Sequence, residues 1–259
     1  MNEARIDLNA DLGECPHAHE ADAELMRLIT SANIACGGHA GDIKSVRRTV
    51  EVARSLGVAV GAHPGYPDRA NFGRVAMQID PAELQRSLQE QIQLVAEVAA
   101  QFGVIMTHVK PHGALYHAAN SDATVAQAIA NAVRSIDASM IVVVQYGSPA
   151  VRYFREAGLL TATEAFADRA YEANGTLRSR SLPGALLDEE RAVEQALNIV
   201  FHDRAAASDG SQLTIRPDTL CFHSDTPNAV AIAKRVREAL ERAGARITPV
   251  RKPVRKLTP

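Results

Sequence analysis

The sequence has no tryptophan, 4% aromatic residues and only three cysteines among its 259 residues. Cys15, Cys36 and Cys221 are odd in number and have no paired spacing, which argues against a disulfide framework and a zinc knuckle and reads as reduced thiols. A strong charge of either sign is missing as well. The formal net charge of −2 leaves no global basic field for nucleic acid. Apolar runs such as residues 140–144 are far too short to span a bilayer, so no membrane partner is expected. The opening MNEARIDLNADLGE carries early acids and no apolar core, unlike a signal peptide, and the expected location is the cytoplasm. Basic character concentrates in Arg251-Lys252-Pro253-Val254-Arg255-Lys256, which reads as a short solvated terminus.

What is present is a rhythm of short β-rich runs and longer amphipathic ones. Strands are expected at residues 5–10, 32–36, 58–62, 104–109, 140–145, 159–164 and 219–222. Helices are expected at 43–56, 81–101, 124–135, 149–157, 189–201 and 228–243. Asp80-Pro81 is an N-cap followed by proline at the first helical position, and Gly57, Gly103, Gly158 and Gly244 are stop signals. The alternation implies parallel strands joined by helices. Seven βα units fit an α/β barrel better than an open sheet, as a single domain over residues 1–245 with a basic tail over 246–259.

Nearly every polar, glycine-rich cluster follows a strand: DLGE, GGHAGD, HPGYPD, KPHG, FADRAY and HSD. In βα folds that is the end where loops converge on a ligand. HVKPHGALYH, with three histidines and a lysine, therefore belongs on the rim of a pocket. His108 shares a face with Lys110 but lies one layer deeper and suits the core, while Tyr116 and His117 fall on the following helix, to pack or meet solvent. In IDLNAD the residues Asp7, Asn9 and Asp11 share one strand face, since side chains alternate. A parallel strand covered on both sides should be apolar on both, so this face is expected to point inward, with Asp11 nearest the opening.

Some motifs fail. GHAGDIKS lacks the contiguous Gly-Lys-Ser of a phosphate loop, so no Walker-type ATP site is expected. Asn174-Gly175 reads as a turn. His17 and His19 read as a solvated loop. Asp168 and Arg169 could pair with each other at the surface, and Asp225 could cap a helix starting near Pro227.

DLNADLGE, SANIACGGHAGD, GVAVGAHPGYPD, FGR, HVKPHGALY, FADRAYEANGTL with SRSLPGAL, and DTLCFHSD occur in this order from Asp7 to Asp225. Together they resemble the LamB/YcsF family, the A subunits of bacterial ATP-dependent 5-oxoprolinases, up to about Ala245. The resemblance implies a seven-stranded parallel β/α barrel similar to the glycoside hydrolase and polysaccharide deacetylase group. It also implies an ATP-coupled opening of 5-oxo-L-proline to L-glutamate, with Mg and ATP as co-substrate, no tightly bound cofactor, and two further subunits as partners. The chain departs from the family pattern at Cys15-Pro16-His17-Ala18-His19, at GGHAGDI and at HSD.

A lactam resists water because amide resonance must be lost; phosphorylation of its oxygen makes a better electrophile, and a base must activate water. Asp11 or His63 is the expected base. Lys110 is placed to attract the substrate carboxylate or developing phosphate charge, and His112 to donate to the leaving nitrogen. Glu14, His39 and Asp42 surround these, and with Asp7, Asn9, Glu164, Arg169 and His223 make up the expected substrate-binding set. No metal is expected in this reading. An alternative, a metal-dependent deacetylase-like amide hydrolase, would place an ion on Asp11, His39 and His63, although no helical HxxxH pair supports it. A third reading is a subunit that binds oxoproline without catalysis.

Overall fold

The computed structural model describes residues 4–15, 17–224 and 226–250. The expected cap at Asp225 and the basic run from Arg251 lie outside the described residues. In chain order the elements are β1 (Arg5–Leu12), α1 (His19–Met26), β2 (Ser31–Ala35), α2 (Ile43–Leu56), β3 (Ala59–His63), α3 (Pro81–Gln101), β4 (His108–Val109), α4 (Gly113–Ser121) and α5 (Ala123–Asp137). They continue with β5 (Ile141–Gln145), α6 (Ala150–Glu156), β6 (Leu160–Phe166), α7 (Glu189–His202), β7 (Arg204–Ala206), β8 (Gln212–Thr214), β9 (Thr219–His223), α8 (Ala229–Arg242) and β10 (Arg246–Ile247).

Seven parallel strands, β1-β2-β3-β4-β5-β6-β9, form a closed barrel, because β9 pairs with both β6 and β1. The closing register sets Asp7 opposite Thr219 and Asp11 opposite His223. β10 adds to β1 below that seam, with Ile6 opposite Ile247. Val250 then packs on Ile141, Val143 and Ala162, so this segment covers the amino-terminal end of the barrel. β7 and β8 form a small antiparallel hairpin apart from it.

The helices wrap the barrel through apolar stripes of helical period. On α3 the buried stripe is Leu84, Leu88, Ile92, Val95 and Val98, and each large side chain so removed from water contributes roughly 1.5–3 kcal/mol. Asp80 starts that helix by accepting from the N–H groups of Ala82 and Glu83, with Pro81 behind it. Gln91 interrupts the stripe for a reason. Its amide accepts from Gly65 N at 3.0 Å and donates to Gly65 O at 2.9 Å, which pins the loop after β3.

Two expectations shift. The strand expected over 104–109 shrinks to His108–Val109, because Val104 N–H is spent on Ala99 O at the end of α3 and Ile105 is exposed. The first strand runs on to Leu12, which carries Asp11 within the barrel wall.

Candidate active site

A cleft of about 280 Å³ opens at the carboxyl ends of the strands, and Asp11, His63, Lys110, His112, Arg169 and His223 all reach it. Below it the barrel interior is polar. Asp7 accepts from the hydroxyls of Thr30, Ser31 and Thr219, and Asn33 donates to Asn9 Oδ1 at 2.8 Å and to Asp11 Oδ1 at 2.9 Å. His108 bonds Asn33 Oδ1 at 3.0 Å while its Nδ1 lies 2.8 Å from the Thr107 hydroxyl. Burial pulls the His108 pKa down to about 4, so the ring is neutral and its Nε2–H donates upward to Asn33. The interior thus holds Asp11 in place through side chains that each have a partner, as buried polar groups require.

Lys110 leaves β4 into the middle of this floor. Its ammonium lies 2.8 Å from Glu164, 3.0 Å from Asp11 and 3.0 Å from Cys221 Sγ. Burial works against its charge, but Asp11, Cys221 and Glu164 outweigh that and hold its pKa well above the usual range. Burial likewise works against Asp11, and His63 with Lys110 outweighs it, so Asp11 stays ionised. Tyr116, on α4, donates its hydroxyl to Glu164 at 3.0 Å.

Beside Asp11, three imidazoles and a carboxylate converge. Glu14 Oε1 lies 3.0 Å from His39 Nε2, 3.2 Å from His112 Nδ1 and 3.7 Å from His63 Nε2. His63 Nε2 and His112 Nδ1 are 3.0 Å apart, and His63 Nε2 is 3.4 Å from Asp11. Donor atoms of Glu14, His39, His63 and His112 all lie within 4.8 Å of one another, as do those of Asp11, Cys221 and His223. The backbone is shaped for this. Asp22 of α1 accepts from Gly13 N at 2.9 Å, and Gly13 at φ 75 makes the turn that delivers Glu14. The FGR segment holds Phe72 at φ 55, an uncommon conformation for a bulky residue, and so aims its carbonyl at His112 Nε2, 2.9 Å away.

On the opposite wall, Asp168 accepts from the His223 ring at 3.0 Å, from His223 N at 3.1 Å and from the Thr226 hydroxyl at 2.8 Å. Burial raises the Asp168 pKa, but His223 and Thr226 outweigh it and bring it below the usual range. Because Nδ1 of His223 is tied to Asp168, Nε2 is the nitrogen left to the cleft. Arg169 donates to Arg178 O at 2.7 Å, and Arg74, Arg178 and Arg180 line the rim with it.

The structure therefore brings Asp11, His63, Lys110, His112, Arg169 and His223 to one cleft, with Glu14 and His39 behind its histidines. Other expectations need correction. Asp42 is exposed and caps α2 by accepting from Ser45 N at 2.8 Å, so it does not serve the cleft. Asp7 and Asn9 lie in the barrel interior beneath the cleft, and Glu164 lies under Lys110, so these three line the floor and not the cleft wall. Lys110 reaches the cleft already paired with two carboxylates, Asp11 and Glu164. His112 has both ring nitrogens engaged, Nδ1 with His63 and Nε2 with the Phe72 carbonyl. Tyr116, expected to pack or meet solvent, and Arg74, Arg178 and Arg180 were absent from the expected set; FGR and SRS in the motif series were the signals for Arg74 and Arg180.

The sequence matches the LamB/YcsF family over residues 6–255, so the match runs past Ala245 and includes β10. It is 46% identical over 94% of its length to 98% of the 5-oxoprolinase A subunit of Tolumonas auensis. It is 50% identical over 92% of its length to 93% of the 5-oxoprolinase A subunit of Methylococcus capsulatus. Among solved structures, the lactam utilization protein of Thermus thermophilus superposes with a TM-score of 0.88 at 41% identity, covering 95% of this chain and all of that one. A match in sequence along nearly its whole length, on a barrel whose cleft is built from the shared motifs, makes this chain a member of the LamB/YcsF family.

Proposed function

We propose that the chain is the A subunit of a 5-oxoprolinase, a hydrolase that opens the cyclic amide of 5-oxo-L-proline to L-glutamate in the cytoplasm. The observation that carries this reading is the ionised Asp11 at the mouth of a barrel whose nearly full-length relatives bear that name. Asp11 is held by Asn33 and Lys110 with a carboxylate oxygen toward the cleft, where it takes a proton from the attacking water. His223, oriented by Asp168, delivers a proton to the ring nitrogen as the C–N bond breaks. Arg169, on the cleft wall, receives the substrate carboxylate, a task that suits guanidinium forks. Lys110 keeps Asp11 charged and positioned.

ATP, with Mg, enters through the assembly. Phosphorylation of the lactam oxygen removes the amide resonance that protects the carbonyl. Water then adds to the carbon, the ring opens, and the resulting acyl phosphate gives phosphate and L-glutamate with a second water. No Gly-Lys-Ser phosphate loop occurs in the sequence, and we assign the triphosphate to two partner subunits. The test is glutamate release from 5-oxoproline and Mg-ATP by this chain alone and with its partners: little from the chain alone, and turnover restored by the complex. Turnover in the complex that is indifferent to Asp11→Asn would make this chain a binding subunit.

A further inference from the structure

The four-residue cluster behind the cleft has a feature that proton sharing with Glu14 does not account for. His63 Nδ1 lies 2.7 Å from Lys110 O and His112 Nε2 lies 2.9 Å from Phe72 O. Backbone carbonyls only accept, so both nitrogens carry protons. Once the proton that His63 carries beside Asp11 is displaced, lone pairs fall on His63 Nε2 and His112 Nδ1, which face each other at 3.0 Å with Glu14 Oε1 beside them. Three acceptors and the Nε2 of His39 then surround one small space, which a metal ion can fill in place of that proton.

We propose that Glu14, His39, His63 and His112 bind one divalent transition-metal ion of the zinc class. Four of the six pairwise separations, 3.0, 3.0, 3.2 and 3.7 Å, bracket the roughly 3.3–3.4 Å edge of a tetrahedron with metal–ligand bonds of about 2.0–2.1 Å, and the parallel rings of His39 and His112 turn from their stack for both nitrogens to face one ion. Three imidazoles and one carboxylate favour zinc, cobalt or nickel over magnesium or calcium, which prefer oxygen. Two of the three imidazoles already donate their far N–H to a carbonyl, the arrangement that fixes the tautomer of a metal-ligating histidine. Glycines make room for the rings: a Cβ at Gly73 would come within 2.7 Å of His39 Cβ, and one at Gly65 within 2.8 Å of His39 Nδ1. His39 Nδ1 itself is buried with no hydrogen-bond partner among the described residues, so this ring is held by packing between Gly65, Gly73 and the stacked His112, 3.6 Å away. Asp11 is not among the four residues whose ligand atoms converge, which differs from the Asp11, His39 and His63 triad considered from sequence.

The ion deepens the lactam-opening reading, since it would sit beside Asp11, but its test reads metal rather than glutamate and the two can fail separately. Tag-free chain is loaded with Zn²⁺ or Co²⁺ alone, freed of excess ion by gel filtration, and analysed for metal. Expected are one ion per chain and the intense visible bands of tetrahedral Co²⁺. Glu14→Gln and His39→Asn should lose the ion while keeping their circular dichroism, and His17→Ala with His19→Ala should keep it. Should the first two variants not fold, NMR of the cadmium-loaded, nitrogen-labelled wild-type chain decides: coupling to three imidazoles is expected, two through Nε2 and one through Nδ1. A folded wild-type chain that retains no ion, or whose ion is lost only with His17 and His19, overturns the proposal and leaves a proton shared between His63 and His112 in that space.

Discussion

The ammonium of Lys110 lies 3.0 Å from Asp11 and, on its other side, 2.8 Å from Glu164, so one buried cation is shared by two buried carboxylates. Each of the three is in the barrel interior or at its mouth, where an unpaired charge is very costly. The lysine therefore joins stability to the site: the residue that keeps Asp11 ionised also offsets negative charge on the barrel floor.

Removing only the cation should be severe. Lys110→Met leaves Asp11 and Glu164 facing each other without compensation and should cost about 3–5 kcal/mol in urea unfolding. Adding Glu164→Gln should recover a good part of that loss. Equal stability of the single and double variants would show that the two carboxylates do not share the lysine.

At the floor, burial pushes the Asp7 pKa up from 3.8 to about 6, against the hydroxyls of Thr219, Thr30 and Ser31 and with help from Glu164. Below the ordinary value Asp7 is protonated in both folded and unfolded states and costs nothing. As pH rises through about 6 the folded state must ionise a buried carboxyl, and up to about 3 kcal/mol of stability is lost across that window. Asp7→Asn should flatten the fall in unfolding free energy between pH 4 and 7 measured by denaturant titration. A wild-type profile that is already flat there would refute the assignment.

Gly61 faces His108 across the interior, and a Cβ there would come within 2.2 Å of His108 Nε2. Gly61→Ala must push the ring off Asn33, breaking the chain of bonds from Thr107 through His108 and Asn33 to Asp11. The expected cost is about 1–3 kcal/mol in stability, together with a lower kcat in the complex. Unchanged melting and turnover would mean that the floor does not position Asp11.

His223→Ala should lower kcat in the assembled complex by on the order of 10²-fold with little change in KM, because a proton donor acts in the transition state. Asp168→Asn should lower it less, through misorientation of the ring. A loss confined to KM would identify His223 as a substrate-binding group.

The barrel was legible because its signals are local. Alternation in IDLNAD, proline and aspartate at the start of α3, and glycines at 57, 103, 158 and 244 each dictate backbone from neighbours in sequence. All four of those glycines do adopt positive φ. The strand ends could also be read, since position in a βα unit places a loop at one end of the barrel. What could not be read was which polar residue spends its atoms on another. Asp42 carries its family motif as fully as His39, yet its carboxylate is used up on Ser45 N. Lys110 reads as a free cation until folding brings Asp11 and Glu164, far away in sequence, to either side. His112 spends Nε2 on a carbonyl presented by Phe72, whose left-handed backbone nothing in the sequence announces beyond the Gly73 that follows.

The central claim is that the mouth of this barrel performs the lactam opening, with Asp11 as the base. It is tested most directly by the rate of L-glutamate formation from 5-oxoproline and Mg-ATP in the complex assembled with Asp11→Asn, beside gel filtration of the same complex. The account predicts an intact assembly whose turnover falls by at least about 10²-fold. An intact assembly that turns over at the wild-type rate would contradict it and place the chemistry on another subunit.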